Sequence, residues 1–573
     1  MLAGALSLAV VGVTYWRLFY GVDLTDESFY VALPYRFVLG ARPFVDETTV
    51  SQQAALLVYP FVRAYAALAG VDGLVLFVRH LQLALSLLVA GAAFVSLRRL
   101  VRSDAAAVAL ALPAVAFVPF DVHSLSYNTL GCGLFTAGSL LAFAAAPGRG
   151  GRRRLLVAGA CLGLAVFAYP PLVAAGAACL AARLLASRRA GDLAAFGLPL
   201  VLLPLAGMTA LVATSGLHAV ARGYRNSTGN LGHGGGLGKL WDVVDHQATT
   251  FHYWYVLLPV LALAAAAWRL RPALAASVLS LLPLVLWPVS LSRAFPPTTF
   301  SASVEFAAHD GLLALPLFAF VRRRPEAQRL LVAVWAPALV AGAATGYASS
   351  NGGVNAGVGL FPATFVTTVF LVWAVEDALR RAGRARPAPA LPALAPALVV
   401  PAILLVLGTA VYRDGPLSRL PTAVSGGAFA GIRTSTNKAL YLDQLEHDLA
   451  GVGHSCRIAF FKDFPAGYLL TAARPDTNAA WVATVRSDRT EAYQDDLVRY
   501  WQRHGFPDVA VVVRLIPYES RRSARVERYL PGTPLADLLA SPAYRLIARR
   551  YNYALYERRS STCGVVPPAR SGT

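Results

Sequence analysis

Apolar runs dominate the chain up to residue 411, and short polar segments interrupt them repeatedly. Each run contains a stretch of about 16–22 residues with almost no charge, and a helix of that length can cross roughly 30 Å of hydrocarbon. The pattern predicts a polytopic α-helical membrane protein with about 13 transmembrane helices, the first near 2–20 and the last near 391–411. One run, 155–186, is too long for a single crossing. We divide it at Tyr169-Pro170-Pro171, because proline cannot continue a helical hydrogen-bond ladder.

The pattern changes after residue 411, where apolar runs shorten to the length of strands at 457–461 and 508–516. Amphipathic stretches at 437–450 and 491–505 predict helices, and the final YRLIARRYNYALYERR is typical of a hairpin. Alternating helices and strands predict a small α/β domain over 412–573, which follows a multi-span domain over 1–411.

Composition excludes a soluble globular protein. Hydrophobic residues make up 56% of the chain, charged residues only 14%, and the mean hydropathy is +0.54. The first span has neither a charged start nor a clear cleavage site, so we expect it to be retained rather than removed as a signal peptide. The amino-acid composition, which is rich in Ala and Arg and poor in Lys, is typical of a bacterium with GC-rich DNA.

The formal net charge of +20 raises the question of a nucleic-acid partner. The arginines, however, cluster in short loops between apolar runs, and these loops alternate with loops poor in arginine. This positive-inside pattern places the basic loops in the cytoplasm, where they meet anionic lipid head groups. We therefore expect membrane lipid and no nucleic acid among the partners. An odd number of spans puts the first loop and the C-terminal domain on the extracytoplasmic side of a bacterial plasma membrane.

Two adjacent acid pairs, Asp26-Glu27 and Asp46-Glu47, lie in the first outer loop, residues 21–70. Acids on an exposed loop are usually solvated surface, and Thr25 or Asp26 can simply cap a short helix. A membrane-embedded chain nevertheless has little structural need for such a cluster at one face, which favours a chemical role. On the residues of the loop alone, both interpretations stay open.

The run DLTDESFYVALPYRFVLGARPFVDE resembles the first outer loop of the GT-C superfamily of glycosyltransferases that use lipid-phosphosugars. The pattern is an acid pair after the first span, an aromatic residue, a glycine and a short aromatic–acidic segment. The matching residues are Asp26, Glu27, Tyr30, Gly40, Phe44 and Asp46. The resemblance covers the first 190 residues at the level of motifs and the remainder in architecture alone. It implies that Asp26 is the catalytic base. We also predict that Glu27 is a catalytic residue and that Tyr30 and Asp46 bind the substrate.

The chemistry of such a transfer fits one carboxylate. A sugar on a polyprenyl phosphate has a good leaving group, so the reaction needs a base for the acceptor hydroxyl and cationic or N–H donors for the departing phosphate. One base without a protein nucleophile means a single displacement with inversion, unlike the two-carboxylate scheme of glycoside hydrolases. The predicted donor is a polyprenyl-phosphate-linked sugar, and the acceptor is an envelope glycan, lipid or protein.

Further substrate-binding candidates lie in the other loops of the same face. We predict a long outer loop over 215–252, which carries Arg222 and Arg225. These two residues and Arg293 can contact the phosphate, although each can instead reach out to lipid heads. Asp121 and His123 lie in the short turn 120–128 and can orient the acceptor or help to hold a metal. No spacing is diagnostic of metal ligation, so a divalent metal stays open as a cofactor.

Glycine-rich loops and cysteines add two smaller expectations. Asn351 lies in the loop 349–359, which can offer backbone N–H groups to a phosphate or simply be mobile. Cys456 and Cys563 both fall in the C-terminal domain, where an oxidising exterior permits a disulfide between them.

Two rival functions come from other classes. A lipid or polysaccharide transporter would need ionisable groups spread through the spans, but the spans are almost purely aliphatic and the acids lie at one face. A non-catalytic scaffold that binds envelope glycan through the C-terminal domain is the second. The integral-membrane glycosyltransferase is the leading interpretation.

Overall fold

The computed structural model is mostly helical up to residue 383 and mixed after residue 411. The described ranges are 2–49, 51–101, 103–145, 149–187, 189–229, 236–250, 254–282, 302–383, 411–482, 491–514, 537–538, 541–561 and 563. The expected last span at 391–411 and the substrate candidate Arg293 lie outside the described residues, apart from Val411 at the end of that span.

Nineteen helices precede the C-terminal region within these ranges. They are α1 (Leu2–Arg17), α2 (Asp26–Val38), α3 (Gln52–Ala69), α4 (Leu74–Val101), α5 (Asp104–Ala111), α6 (Pro113–Ala116), α7 (Tyr127–Ala144), α8 (Arg149–Ala168), α9 (Val173–Ala186), α10 (Ala190–Ser215), α11 (Leu217–Gly229), α12 (Leu237–Thr250), α13 (Trp254–Leu270), α14 (Pro272–Leu282), α15 (Ala302–Leu312), α16 (Ala314–Val321), α17 (Pro325–Leu330), α18 (Ala336–Ala348) and α19 (Ala356–Arg381).

Five helical segments are long and apolar enough to cross a membrane, judged by length and composition over the described residues. They are Leu74–Val101, Ala190–Ser215, Ser303–Val321, Pro325–Ala348 and Gly352–Arg381. Shorter apolar helices accompany them. The chain therefore has the apolar helices of a multi-pass membrane protein, while the expected count of about thirteen spans is not confirmed.

The divided run at 155–186 breaks where the prolines predict. Helix α8 ends at Ala168, a short 3-10 turn occupies Pro170–Leu172, and α9 begins at Val173. The two proline nitrogens have no hydrogen to donate to the preceding turn, so the α8 ladder stops there.

The segment 215–252, expected as a loop between spans, instead carries α11 and α12. Helix α11 packs on the first loop, where the rings of Tyr224 and Phe44 stack with centroids 6.0 Å apart. Gly223 permits this approach, because a side chain there would collide with the Phe44 ring. Apolar residues on one face of a short helix explain its docking. A prediction that looks only for apolar runs long enough to span a membrane does not detect such a helix.

The described part of the C-terminal region is built on strands and two α-helices, as the alternating pattern predicts. The elements are β1 (Thr422–Ala423), β2 (Arg433–Thr434), α20 (Thr436–Leu449), β3 (Arg457–Phe461), β4 (Arg474–Pro475), α21 (Glu491–His504), β5 (Val509–Val513), β6 (Tyr544–Arg549) and β7 (Tyr553–Arg558). Five strands form one sheet in the order β4-β3-β5-β7-β6. The pairs β3–β4 and β3–β5 are parallel, whereas β5–β7 and the final hairpin β6–β7 are antiparallel.

Apolar packing joins this sheet to the first loop. Val31 of α2 and Leu74 of α4 share one buried cluster with Phe464 and Tyr468 of the C-terminal region. Cys456 and Cys563 are joined by a disulfide with their Cα atoms 5.6 Å apart. The first loop and the sheet therefore pack around a common core.

Candidate functional site

Asp26 is the first residue of α2, and Asp23 supplies the cap that holds this helix end. The Asp23 carboxylate accepts hydrogen bonds from the backbone N–H of Thr25 at 2.9 Å and of Glu27 at 2.9 Å, and from the Thr25 hydroxyl at 2.7 Å. Such bonds satisfy N–H groups that the helix leaves unpaired at its start. The structure thus gives the capping bonds to Asp23 and leaves the Asp26 carboxylate for other partners.

Two side chains from beyond residue 411 contact the Asp26 carboxylate. The Tyr412 hydroxyl donates to Asp26 Oδ2 at 2.8 Å, and Arg413 Nη2 lies 3.1 Å from the same oxygen. Arg413 also donates to the Thr25 hydroxyl. The side chain of Asp26 is 22% exposed. Asp26 is therefore a partly accessible carboxylate with a cation and a phenol on one of its oxygens.

Glu27 points away from this group and pairs with a buried arginine of α4. Arg79 Nε donates to Glu27 Oε1 at 2.8 Å and Nη2 to Oε2 at 2.5 Å. The same guanidinium donates to the carbonyls of Leu18 and Gly21, so it fixes the chain between α1 and α2. Glu27 thus braces the segment that carries Asp26, and its predicted role in catalysis stays a prediction.

Asp121 and His123 belong to the same network as Asp26. The backbone N–H of Tyr412 donates to Asp121 Oδ2 at 2.8 Å, and His123 Nε2 lies 3.0 Å from Asp121 Oδ1. Arg17, which is buried, lies 3.2 Å from Asp121 Oδ2. Tyr412 therefore connects Asp121 through its backbone and Asp26 through its hydroxyl.

The charges around Asp121 set its protonation. Burial raises the pKa of the Asp121 carboxyl, but Arg17 and the His123 hydrogen bond outweigh burial and hold that pKa below its usual value. Burial is also the main cause that lowers the pKa of His123. Asp121 is therefore an anion beside a neutral imidazole near pH 7.

The pKa of the Asp23 carboxyl is shifted in the opposite direction. Burial is the largest cause, and the negative charge of Asp26 the second, that raises the pKa of the Asp23 carboxyl to about 6. Two carboxyls so close together disfavour being ionised together. The positive charge of Arg413 opposes this shift.

A row of tyrosines leads from Asp26 into the helices. The Tyr30 ring lies 5.7 Å from that of Tyr127, which lies 4.9 Å from Tyr169. Asn355 donates to the Tyr169 hydroxyl at 3.0 Å. Asn351, the residue predicted in the glycine-rich loop, is exposed. The side chain of this loop that contacts the tyrosine row is instead the buried amide of Asn355. Burial is the largest cause that raises the pKa of Tyr30 well above its usual value.

The second acid pair holds the C-terminal region. Glu47 lies 3.2 Å from Arg36 and accepts from the backbone N–H of Ala480 at 2.7 Å. Asp46 accepts from Arg42 at 3.2 Å and from the Tyr500 hydroxyl at 3.2 Å. Both acids therefore contact partners within the protein, and the substrate-binding role of Asp46 stays a prediction.

The arginine candidates of α11 lie near a different part of the loop. On α11, Arg222 is partly buried and Arg225 is exposed. Tyr224 attaches this helix to the first loop, because the Tyr224 hydroxyl donates to Gln53 Oε1 at 2.8 Å. This docking places α11 beside Phe44 rather than against the residues that contact Asp26. Their predicted role at the phosphate stays a prediction.

Sequence reasoning missed five residues of this group, namely Arg17, Asp23, Arg79, Tyr412 and Arg413. Arg79 had a signal, because a charge inside an apolar run usually faces a polar interior rather than lipid. Asp23 had a weaker one, as an acid just before a helix start. Tyr412 had none, since 386 positions separate it from Asp26.

The residues around Asp26 do not fit a divalent metal, which the sequence left open. The partners of the Asp26 carboxylate are a phenol and a guanidinium, neither of which is a usual metal ligand in these protonation states. Across the part of the chain that the structure describes, no group of three or more His, Cys, Asp or Glu side chains is placed to hold a metal ion.

No protein-family model matches the sequence, and no curated protein matches it either. Among solved structures, ArnT from Cupriavidus metallidurans in the apo state is 14% identical with a TM-score of 0.42, covering 96% of this chain and 97% of that chain. The same protein bound to undecaprenyl phosphate gives 15% identity and a TM-score of 0.43, covering 98% of each chain. The oligosaccharyltransferase AglB from Archaeoglobus fulgidus, in complex with an inhibitory peptide and a dolichol-phosphate, gives 13% and 0.45, covering 89% of this chain and 69% of that chain.

ArnT and AglB are both GT-C proteins, the superfamily that the first-loop residues resemble.

Proposed function

We propose that this protein is an integral-membrane glycosyltransferase that moves a sugar from a polyprenyl-phosphate donor to an acceptor hydroxyl. The observation that carries the proposal is the Asp26 carboxylate itself. It stands partly exposed at the start of a capped helix, with a guanidinium and a phenol at 3.1 and 2.8 Å. A base that must accept a proton while a neighbouring phosphate gains charge needs this combination of carboxylate and cation.

In the proposed reaction the acceptor oxygen attacks the anomeric carbon, and its proton goes to Asp26. The bond between the anomeric carbon and the phosphate oxygen breaks, and the electron pair stays on the departing polyprenyl phosphate. A phosphate leaves as a weakly basic anion, so no acid needs to protonate it. A single displacement of this kind inverts the anomeric configuration.

Neighbouring groups support Asp26 in this role. Asp23 holds the helix end through its backbone N–H groups, so the position of the Asp26 backbone does not depend on its own carboxylate. Asp121 fixes the backbone of Tyr412 at 2.8 Å, and Tyr412 in turn orients Asp26. Residues held in this way lose little freedom when the reaction begins.

We place the site on the extracytoplasmic side of a bacterial plasma membrane, following the alternation of arginine-rich loops. The proposed acceptor is an envelope glycan, lipid or protein. Undecaprenyl phosphate and dolichol-phosphate, found with ArnT and AglB, are lipids of the class proposed for the donor.

Substitution of the base tests the proposal in a host from which the gene is deleted. We expect polyprenyl-phosphate sugars to accumulate in the deletion strain and the parental gene to restore their normal level. Asp26→Asn keeps the size of the side chain and removes the base, so transfer should fall roughly a hundredfold or more. The lipid-linked sugars are measured by mass spectrometry together with the envelope glycans.

Asp443→Asn is the matched control, because Asp443 is an exposed carboxylate on α20. It should restore the level as the parent does. Restoration by Asp26→Asn to within a few-fold of the parent would show that Asp26 is not the base. Unchanged pools of glycans and lipid-linked sugars in the deletion strain would contradict the glycosyltransferase function itself.

A further inference from the structure

Tyr412 and Arg413 reach Asp26 from a tight turn at residues 411–415. Val411 N–H donates to the carbonyl of Gly415 at 2.9 Å, and Gly415 N–H donates back at 3.1 Å. Arg413 stands at the tip with φ of 58°, in the left-handed region that a non-glycine residue seldom adopts. Such a conformation persists only where surrounding contacts hold it.

A buried ion pair holds the base of this turn. The Asp414 carboxylate lies 2.9 Å from Lys438 Nζ and accepts from the Val22 N–H at 2.7 Å. Lys438 Nζ in turn donates to the carbonyl of Arg413 at 2.9 Å and to that of Val22 at 2.6 Å. Both charged side chains are almost fully buried, so the backbone of the turn is fixed against the first loop.

The side chain of Arg413 is anchored on Asp26 and Thr25 and is still partly exposed. The exposed fraction of the Arg413 side chain is 28%, whereas that of Arg17, Arg36 and Arg79 is 2% or less. Its guanidinium lies 4.9 Å from the centre of the Tyr412 ring. An arginine that is exposed on one side can keep N–H groups on Asp26 and on the Thr25 hydroxyl and still direct another N–H outward, because a guanidinium carries five N–H donors.

We propose that Arg413 binds the phosphate of the lipid donor and that, without donor, the same guanidinium holds the Asp26 carboxylate. This inference rests on the proposed function and adds to it the residue that receives the leaving group. As the bond between the anomeric carbon and the phosphate oxygen breaks, that oxygen keeps the electron pair and its negative charge grows. Arg413 then faces this charge, while the acceptor proton moves to Asp26.

The proposal also explains why the turn is rigid and its tip exposed. A donor phosphate that binds beside Asp26 brings a second anion to a site that already holds one. A fixed guanidinium between the two anions lowers their repulsion and requires no movement of the chain. Arginine suits this position because its planar fork can contact a carboxylate and a phosphate together.

Binding of undecaprenyl phosphate to the purified full chain in detergent tests the proposal without requiring any transfer. Arg413→Gln removes the charge and most donors, so we expect the dissociation constant to rise at least tenfold, the scale of a lost hydrogen bond to a charged group. Arg413→Lys, which keeps the charge and loses the fork, should fall between Arg413→Gln and the parent. Titration calorimetry at one fixed detergent concentration measures all the variants.

Arg433→Gln is the matched control, since Arg433 is exposed on β2 and its side chain donates to the carbonyl of Pro421. It should bind the lipid as the parent does. Asp26→Asn should bind it at least as tightly, because it releases Arg413 from a competing anion. Affinity within twofold of the parent for Arg413→Gln, equal losses in both arginine variants, or weaker binding by Asp26→Asn would each overturn the proposal.

The two proposals fail in different ways. If Arg413→Gln binds the lipid normally while Asp26→Asn abolishes transfer, Arg413 is not the phosphate residue and the glycosyltransferase stands. If the parent binds the lipid through Arg413 but the deletion strain shows normal glycans and lipid-linked sugars, the site binds a lipid phosphate and the transfer reaction is contradicted.

Discussion

Asp23 and Asp26 are three residues apart, yet their surroundings differ in kind. Asp23 is buried at the helix start and accepts backbone N–H groups, whereas Asp26 is partly exposed and meets a cation. The sequence motif identifies the pair Asp26-Glu27, but it assigns Asp23 no role. Local spacing can indicate an acidic cluster, while burial decides which acid caps and which remains accessible.

The raised pKa of Asp23 predicts a pH-dependent stability. Its carboxyl has a pKa of about 6 in the fold against 3.8 for the free group, chiefly because of burial and then because of Asp26. The folded state therefore binds the proton more tightly, so this contribution is fully present below pH 3.8 and is lost as pH rises through 6. Asp23→Asn keeps an acceptor for the helix end and removes the titration. We expect its midpoint of thermal unfolding in detergent to change less between pH 5 and 7 than that of the parent.

The whole effect on the free energy of unfolding is on the order of a few kcal/mol at most. Asp443→Asn serves as the control, because an exposed carboxylate changes its surroundings little on folding. Parallel profiles for Asp23→Asn and the parent would contradict the assigned burial of a titrating Asp23.

Among the helices, close backbone approach fixes the packing of α19. A side chain at Gly359 would collide with the backbone of Ala341 and Gly342 in α18. Glycine there lets two helices touch through their backbones, a contact typical of helices packed within membranes. The apolar pattern predicts both helices, yet it gives no sign of which faces meet.

Gly359→Ala should therefore destabilise the protein by about 1–3 kcal/mol, the usual cost of overpacking a filled core. Gly91→Ala is the matched control on α4, where an added methyl group would meet no atom within 4 Å. Alanine favours a helix more than glycine does, so this control should be neutral or slightly more stable. Thermal unfolding of both variants in one detergent measures the difference, and equal midpoints would contradict the α18–α19 contact.

Elements whose pattern is local were predicted well. The proline break between α8 and α9, the strand at 457–461 and the final hairpin lie where the sequence places them, and the strand predicted at 508–516 spans 509–513. Helices α11 and α12 were missed, because they are too short and polar to be spans and they gain their stability by docking. The network around Asp26 was only half predictable. Asp121, which Tyr412 links to Asp26, lies in a visible polar turn, whereas Arg413 stands 387 positions away from Asp26 and shares no sequence pattern with it.

On the scale of the whole molecule, the arginine-rich loops predict the orientation in the membrane. A reporter enzyme that is active only outside the cytoplasm, fused after Arg413, should be active, whereas a fusion near Arg153 should be silent. A second reporter that works only in the cytoplasm should give the reverse readings. Activity outside at Arg153 and inside at Arg413 would overturn the assigned topology and the placement of the site.

The contacts between the first loop and the C-terminal region have a consequence for synthesis. Glu47 and Ala480 are 433 positions apart, and Asp26 and Tyr412 are 386 apart. A ribosome that adds about 5–20 residues per second needs roughly 20–90 s to cover such a distance. During that interval the first loop lacks its partners from the C-terminal region. The base is therefore assembled late, and a nascent chain that has not yet reached residue 412 carries Asp26 with neither its phenol nor its cation.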